Sequence, residues 1–123
     1  MSAAGFDQVL AFFYRPQGRI SRAEYALGVA LIYALSLAIL SFVVVRFDAG
    51  PGAILVASLI SLPLTIAYFV LVVKRCHDFG LPGTFLLLLF VPLVNIVWLV
   101  ALFFMPGNAA PNLYGPPPSF RHV

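Results

Sequence analysis

The sequence predicts an all-α integral membrane protein: a bundle of three transmembrane helices with a short interfacial N-terminal amphipathic helix. Three observations predict it. Hydrophobic residues make up 63% of the 123 residues and charged residues only 9%, whereas soluble domains carry roughly a quarter charged residues. The apolar residues gather into three long runs free of charge, and in lipid only a helix satisfies the backbone of such a run locally. The links between the runs hold the glycines, prolines and charges expected of turns. The length suits one domain, divided into an N-terminal segment 1–20, a membrane domain 21–106 and a Pro/Gly-rich tail 107–123, with spans at 25–45, 53–73 and 84–105.

The elements follow in order. Phe6, Val9, Leu10 and Phe13 recur at i, i+3, i+4 and i+7, one face of a helix too short to span and therefore placed in the membrane interface. Pro16 should end it. Residues 1–14 contain no Lys or Arg, and Val9–Tyr14 is too short for an apolar signal core, so no cleaved signal peptide is expected. The first span then begins at a capping box, with Ser21 as N-cap and Glu24 three residues on, and Ile20 and Tyr25 positioned as a hydrophobic staple. Tyr25–Val45 is 21 residues without a charge; as a helix it is about 31 Å long, matching a hydrocarbon core of about 30 Å. Gly50-Pro51-Gly52 turns the chain into a second uncharged run of 21 residues, Ala53–Val73. Pro63 lies at its centre and should kink it, with Ser61 and Thr65 near enough to help satisfy freed carbonyls. Gly80 should cap this helix, and Pro82-Gly83 should turn the chain again. The third run ends at Pro106-Gly107 and contains Pro92 and Asn95. A proline-kinked span is the expectation here; the rival is a break at Pro92 that makes a re-entrant hairpin and returns the tail to the starting side. Asn108, Asn112, Gly115 and Pro116-Pro117-Pro118 read as turn plus polyproline II.

Orientation follows from Lys and Arg. Arg15, Arg19, Arg22, Lys74 and Arg75 share one side, against Arg46 and Arg121, which places the N-terminus and the second link in the cytoplasm and, with three crossings, the tail outside. Small residues recur every fourth position: Ala26, Ala30, Ala34 and Ala38 on the first span, and Ala53, Ala57, Ser61 and Thr65 on the second. Such stripes let helices approach closely in lipid, and the short first link favours packing of the two spans on each other.

Few residues point to chemistry. Cys76, His77 and Asp78 are consecutive, but adjacent residues on a helix point about 100° apart, and catalytic Cys–His pairs meet in space rather than in sequence. The two histidines, His77 and His122, lack i+4 spacing, so neither a metal site nor a cofactor is expected. A net charge of +3, set beside apolar runs, suits lipid phosphates and not nucleic acid. Lys74, Arg75 and His77 suit the C-terminal end of a helix; Asp78 opposes the dipole there and should have a partner, with Arg75, Arg19 and Arg22 the candidates. Arg19, Arg22, Glu24, Arg75, His77 and Asp78 thus form a candidate polar cluster on the cytoplasmic side.

Three blocks resemble the domain of unknown function 805 family of small bacterial inner-membrane proteins. Gly18-Arg19-Ile20-Ser21-Arg22-Ala23-Glu24-Tyr25 is similar to the family's run ahead of its first span. Lys74-Arg75-Cys76-His77-Asp78 is similar to its run after the second, and Asn112-Leu113-Tyr114-Gly115-Pro116-Pro117-Pro118 to its tail. Lys74 stands where the family has Arg, Cys76 where it has Leu, Ala26 where it has an aromatic, and Pro82 where it has Ser. The resemblance implies the fold and a bacterial inner-membrane location, and no established activity. Together these observations lead us to expect a non-enzymatic accessory or interaction subunit whose partners are membrane lipids and a membrane protein or second copy of the chain. The alternatives are a small oligomeric transporter, channel or lipid-handling protein and, less favoured, an interfacial enzyme using His77 and Asp78.

Overall fold

The computed structural model describes residues 3–48 and 50–118; Arg121 and His122 lie outside them. Helix α1 covers Ala3–Tyr14, α2 Arg22–Phe47 and α3 Pro51–Asp78. A 3₁₀ helix, Gly83–Phe90, and α4, Val94–Phe104, follow. No strand occurs among the described residues, apart from one isolated bridge between Asn112 and Gly115. Two helices, α2 and α3, are long and apolar enough to cross a membrane. At 1.5 Å per residue they are about 39 and 42 Å long, so the charges at their ends extend the helices past the uncharged runs.

Local chemistry explains the helix boundaries. The Ser21 hydroxyl accepts from the Glu24 amide at 3.2 Å, and Glu24 accepts from the Ser21 amide at 3.1 Å, completing the capping box. Ile20 and Tyr25 are both buried in the main apolar cluster. Pro51 occupies the first turn of α3, where a missing N–H costs nothing. Gly80, at φ +79°, closes α3: its amide donates to the His77 carbonyl at 3.0 Å and that of Leu81 to the Cys76 carbonyl at 2.9 Å, the two bonds of a Schellman motif. α3 continues through Pro63. The Ser61 and Thr65 hydroxyls bond the carbonyls of Ser58 and Ser61, not that of Leu59, the residue four before the proline.

The third apolar run departs from the expected span. It doubles back at Pro92, where Leu93 takes φ +70°, ψ −48° and the Val94 amide donates to the Pro92 carbonyl at 2.8 Å. This is a γ-turn of the strained, positive-φ kind. Val91 is held extended ahead of the proline, as a residue before proline prefers. Both arms are about 16 Å long, and both open ends of the hairpin lie beside the C-terminal end of α3: a side chain at Gly83 would meet Val73, and Arg75 donates to the carbonyls of Leu102 and Met105.

Packing also corrects the expected stripes. The buried face of α2 holds Tyr25, Gly28, Val29, Ile32 and Val43. Ala30, Ala34 and Ala38 are exposed and Ala26 is half-buried, so that stripe lies outside the contact with α3. On α3, Ala53 and Ala57 are buried, Ser61 is half-buried and Thr65 is exposed. The close approach occurs instead at Gly28, where an added Cβ would stand 2.7 Å from Leu71 Cδ1 and 3.1 Å from Phe12 Cε1. Phe12 and Phe13 of α1 pack on the core cluster, while Phe6, Val9 and Leu10 of the expected apolar face are exposed. Gly28→Leu should therefore destabilise the protein by about 1–3 kcal/mol through overpacking, and Ala34→Leu by much less, in a detergent unfolding titration. Equal effects would mean that the α2–α3 contact is misplaced.

Candidate functional site

The polar residues converge where α2 begins and α3 ends. Antiparallel packing of these helices brings Arg19, just ahead of the α2 cap, beside the last turn of α3. Asp78 is fully buried there, as is Arg75. Asp78 Oδ1 accepts from Arg19 Nε at 3.0 Å and from Arg19 Nη2 at 2.9 Å, and Oδ2 accepts from Arg75 Nη1 at 2.6 Å. Of the expected partners, Arg19 and Arg75 are thus the ones that pair. Arg22 does not; its Nη1 donates to the Phe104 carbonyl at 3.1 Å. Glu24 stays in its capping box.

The arginines do more than neutralise an acid. Arg75 Nε donates to the Leu102 carbonyl at 2.9 Å and Nη2 to that of Met105. With Arg22, two cations therefore meet the carbonyls left without intrahelical partners at the C-terminus of α4, the negative end of its dipole. Arg75 also lies 4.5 Å from the Phe79 ring centroid. Arg19 Nη1 donates to the carbonyls of Ala110 and Gly115 at 3.0 and 3.1 Å, and Nη2 to that of Asn108. A guanidinium has five N–H groups, and these bonds employ all of them.

Backbone geometry closes the same knot. The Asn108 amide donates to the Asp78 carbonyl at 2.7 Å. Gly107 passes so close that an added Cβ would lie 1.9 Å from Asp78 Oδ2, so only glycine fits. Asn112 Nδ2 donates to the His77 carbonyl at 3.0 Å, and its Oδ1 accepts from the Tyr114 amide at 2.8 Å. The His77 ring stacks on Tyr114 with centroids 4.0 Å apart and planes 3° from parallel. His77 Nδ1 is 3.0 Å from the Gly18 carbonyl; a carbonyl only accepts, so Nδ1 carries the proton. Pro16, Gln17, Gly18, His77, Leu113 and Tyr114 line a shallow recess of about 360 Å³ beside this stack.

His77 and Asp78 are thus turned to different tasks, one toward the 16–18 loop and the tail, the other toward the arginines. Cys76 is buried. No group of three or more His, Cys, Asp or Glu able to hold a metal occurs among the described residues. On the far half of the helix pair, Ser36, Ser58, Ser61 and Thr65 line a groove of about 260 Å³, with each hydroxyl bonded to a carbonyl of its own helix.

The family described as "Protein of unknown function (DUF805)" matches residues 13–116. The chain belongs to this family. No curated protein and no solved structure matches it. The DUF805 match runs from the end of α1 to the tail turn, and so encloses every residue of the Arg19–Asp78–Arg75 knot. Sequence reasoning about this DUF805 chain missed Gly107, Asn108 and Tyr114 as members of the site. Asn112 and Gly115 were readable as a turn, but nothing in their spacing says that the turn lands on His77.

Removing one member of a buried, hydrogen-bonded charge pair costs about 3–5 kcal/mol, since the other is left unpaired. Asp78→Asn and Arg19→Ala should each fall in that range, Arg22→Ala well below it, and the Arg19→Ala/Asp78→Asn double variant should cost less than the sum of the singles. Detergent unfolding of the four proteins checks this. Full additivity would mean the two ends are uncoupled.

Proposed function

We propose that the chain is an integral protein of the bacterial inner membrane, serving as a non-enzymatic accessory or interaction subunit. It crosses the bilayer twice, through α2 and α3, and carries a re-entrant hairpin whose tail returns to the cytoplasmic side. One observation carries the membrane reading: large apolar side chains cover the outside of the long helices, while Arg19, Lys74, Arg75 and Asp78 are buried. Leucine, isoleucine, valine and phenylalanine side chains stand exposed along α2 and α3, and only 22% of the most apolar stretch of either helix is buried. A helix in the core of a soluble protein would be mostly covered, and such an exposed apolar surface requires lipid or a partner.

The hairpin replaces the third crossing because its arms are each about half a hydrocarbon core in length and the tail is bonded to Arg19 and Asp78. The cytoplasmic assignment rests on Arg15, Arg19, Arg22, Lys74 and Arg75 at that end, against Arg46 at the other. The non-enzymatic reading is supported by where the charges are directed. Both Asp78 oxygens and all five Arg19 donors are taken up by the chain itself, which suits a structural knot better than a general base. The hydroxyl-lined groove favours transport only weakly, since its hydroxyls already bond carbonyls of their own helices.

Cysteine reporters test the topology. Cys76 is buried and should stay silent. Gln17→Cys and Leu113→Cys, both at exposed positions, should resist an impermeant maleimide in intact spheroplasts and react once the membrane is opened. Gly52→Cys, where a side chain meets open space, should react in intact spheroplasts. Labelling of Leu113→Cys from outside would restore three crossings. In the same cells, any phenotype lost in Asp78→Asn should fall in step with protein abundance; a phenotype lost at normal abundance would contradict the structural role of the cluster.

A further inference from the structure

The two halves of the helix pair differ sharply in what surrounds them. α1, the 3₁₀ helix and α4 all pack around one half, beside the start of α2 and the end of α3. Lys74 Nζ donates to the Ala11 and Phe12 carbonyls at 3.3 and 2.9 Å, which holds α1 there. The hairpin reaches its deepest ring contact at Phe90, 6.1 Å from Phe69. Phe69 is nine residues from the end of α3, about 14 Å along the helix. Beyond that depth the Tyr14 hydroxyl of α1 still reaches α3, donating to the Pro63 carbonyl at 3.0 Å, and farther along the pair the small far cluster is Val43, Ala53 and Ala57 with Ile39 against it.

The described chain thus presents five helical elements in one half and two in the other. A helix with its side chains is about 10 Å across, so the three additional elements add on the order of 200 Å² of cross-section to one leaflet alone. Material inserted in a single leaflet makes membrane binding sensitive to curvature. The hairpin cannot shift to the other leaflet, because Arg75, Arg22 and Arg19 hold its return end and the tail to the ends of α2 and α3.

We propose that the protein is a one-leaflet wedge whose preferred partner is a curved lipid surface, convex on the side of the Arg19–Asp78 end; this rests on the membrane reading above. Its function would then include sorting to, or stabilising, membrane regions bent in that sense. A wedge inserted in a vesicle has two orientations, and curvature distinguishes them. With the wide end outward it fits a small vesicle, and with the wide end inward it does not.

The test uses the full-length Leu113→Cys protein reconstituted into highly curved and into large vesicles of one phospholipid composition. An impermeant maleimide reads the fraction facing outward, and Gly52→Cys, reconstituted in parallel, reads the opposite end. The outward-to-inward ratio at Leu113 should be higher by about twofold or more in the small vesicles, a bias of ~0.4 kcal/mol, with Gly52 changing in the opposite direction. A ratio that does not vary with vesicle size, while the two reporters remain on opposite faces, overturns the wedge and leaves the membrane reading intact. Reporters on the same face would overturn the membrane reading itself.

Discussion

Asp78 has no route to solvent and two cations against it. Such a group is stable only while both arginines stay in place, because an ionised carboxylate stripped of partners in the interior costs several kcal/mol. Most of the tertiary structure is tied to that requirement. Arg19 lies ahead of α2, so α2 must begin beside the end of α3. Arg75 reaches α4 as well as Asp78, so the return arm of the hairpin must end there too. Arg19 reaches the tail, and Gly107 lets the chain pass over the carboxylate at a distance no other residue permits.

The same arrangement solves a second problem, the end of α4. A helix that stops next to an apolar phase leaves carbonyls without partners, and in lipid these are costly. Cationic side chains at the helix C-terminus satisfy them and match the dipole. Arg22 and Arg75 do both. The short helix α4 is in this way secured by charges carried on the two long helices, and the tail is held through its carbonyls, the Asn112 side chain and the stacking of Tyr114 on His77.

Much of this was legible in the sequence where the signal is local. Ser21 and Glu24 announce their cap, Pro16 ends α1, and Gly80 closes α3 because only a residue tolerant of positive φ fits there. The need of Asp78 for a partner followed from an acid at the wrong end of a dipole. The hairpin was less legible. Residues 84–105 pass any test of span length and apolarity, and the reversal depends on Leu93 adopting a conformation that its own identity disfavours. The alanine stripe of α2 misled for a related reason. A period of four suggests a contact, but the contact is decided by which residue leaves room for Leu71 and Phe12, and that is Gly28. The membership of Tyr114 and Asn108 in the site rests on long-range closure that no short pattern encodes.

One buried ion cluster holds the tail and hairpin to the helix pair. Amide hydrogen exchange in detergent micelles reads this directly at Asn108, Asn112 and Gly115, whose N–H groups bond the carbonyls of Asp78, Gly115 and Asn112. In the parent protein all three should be protected, and in Gly107→Ala, which crowds the carboxylate without removing any charge, all three should exchange faster together, by about tenfold for each 1.4 kcal/mol of lost closure. Unchanged protection of these amides in Gly107→Ala would mean that the tail is held by something other than its fit to Asp78.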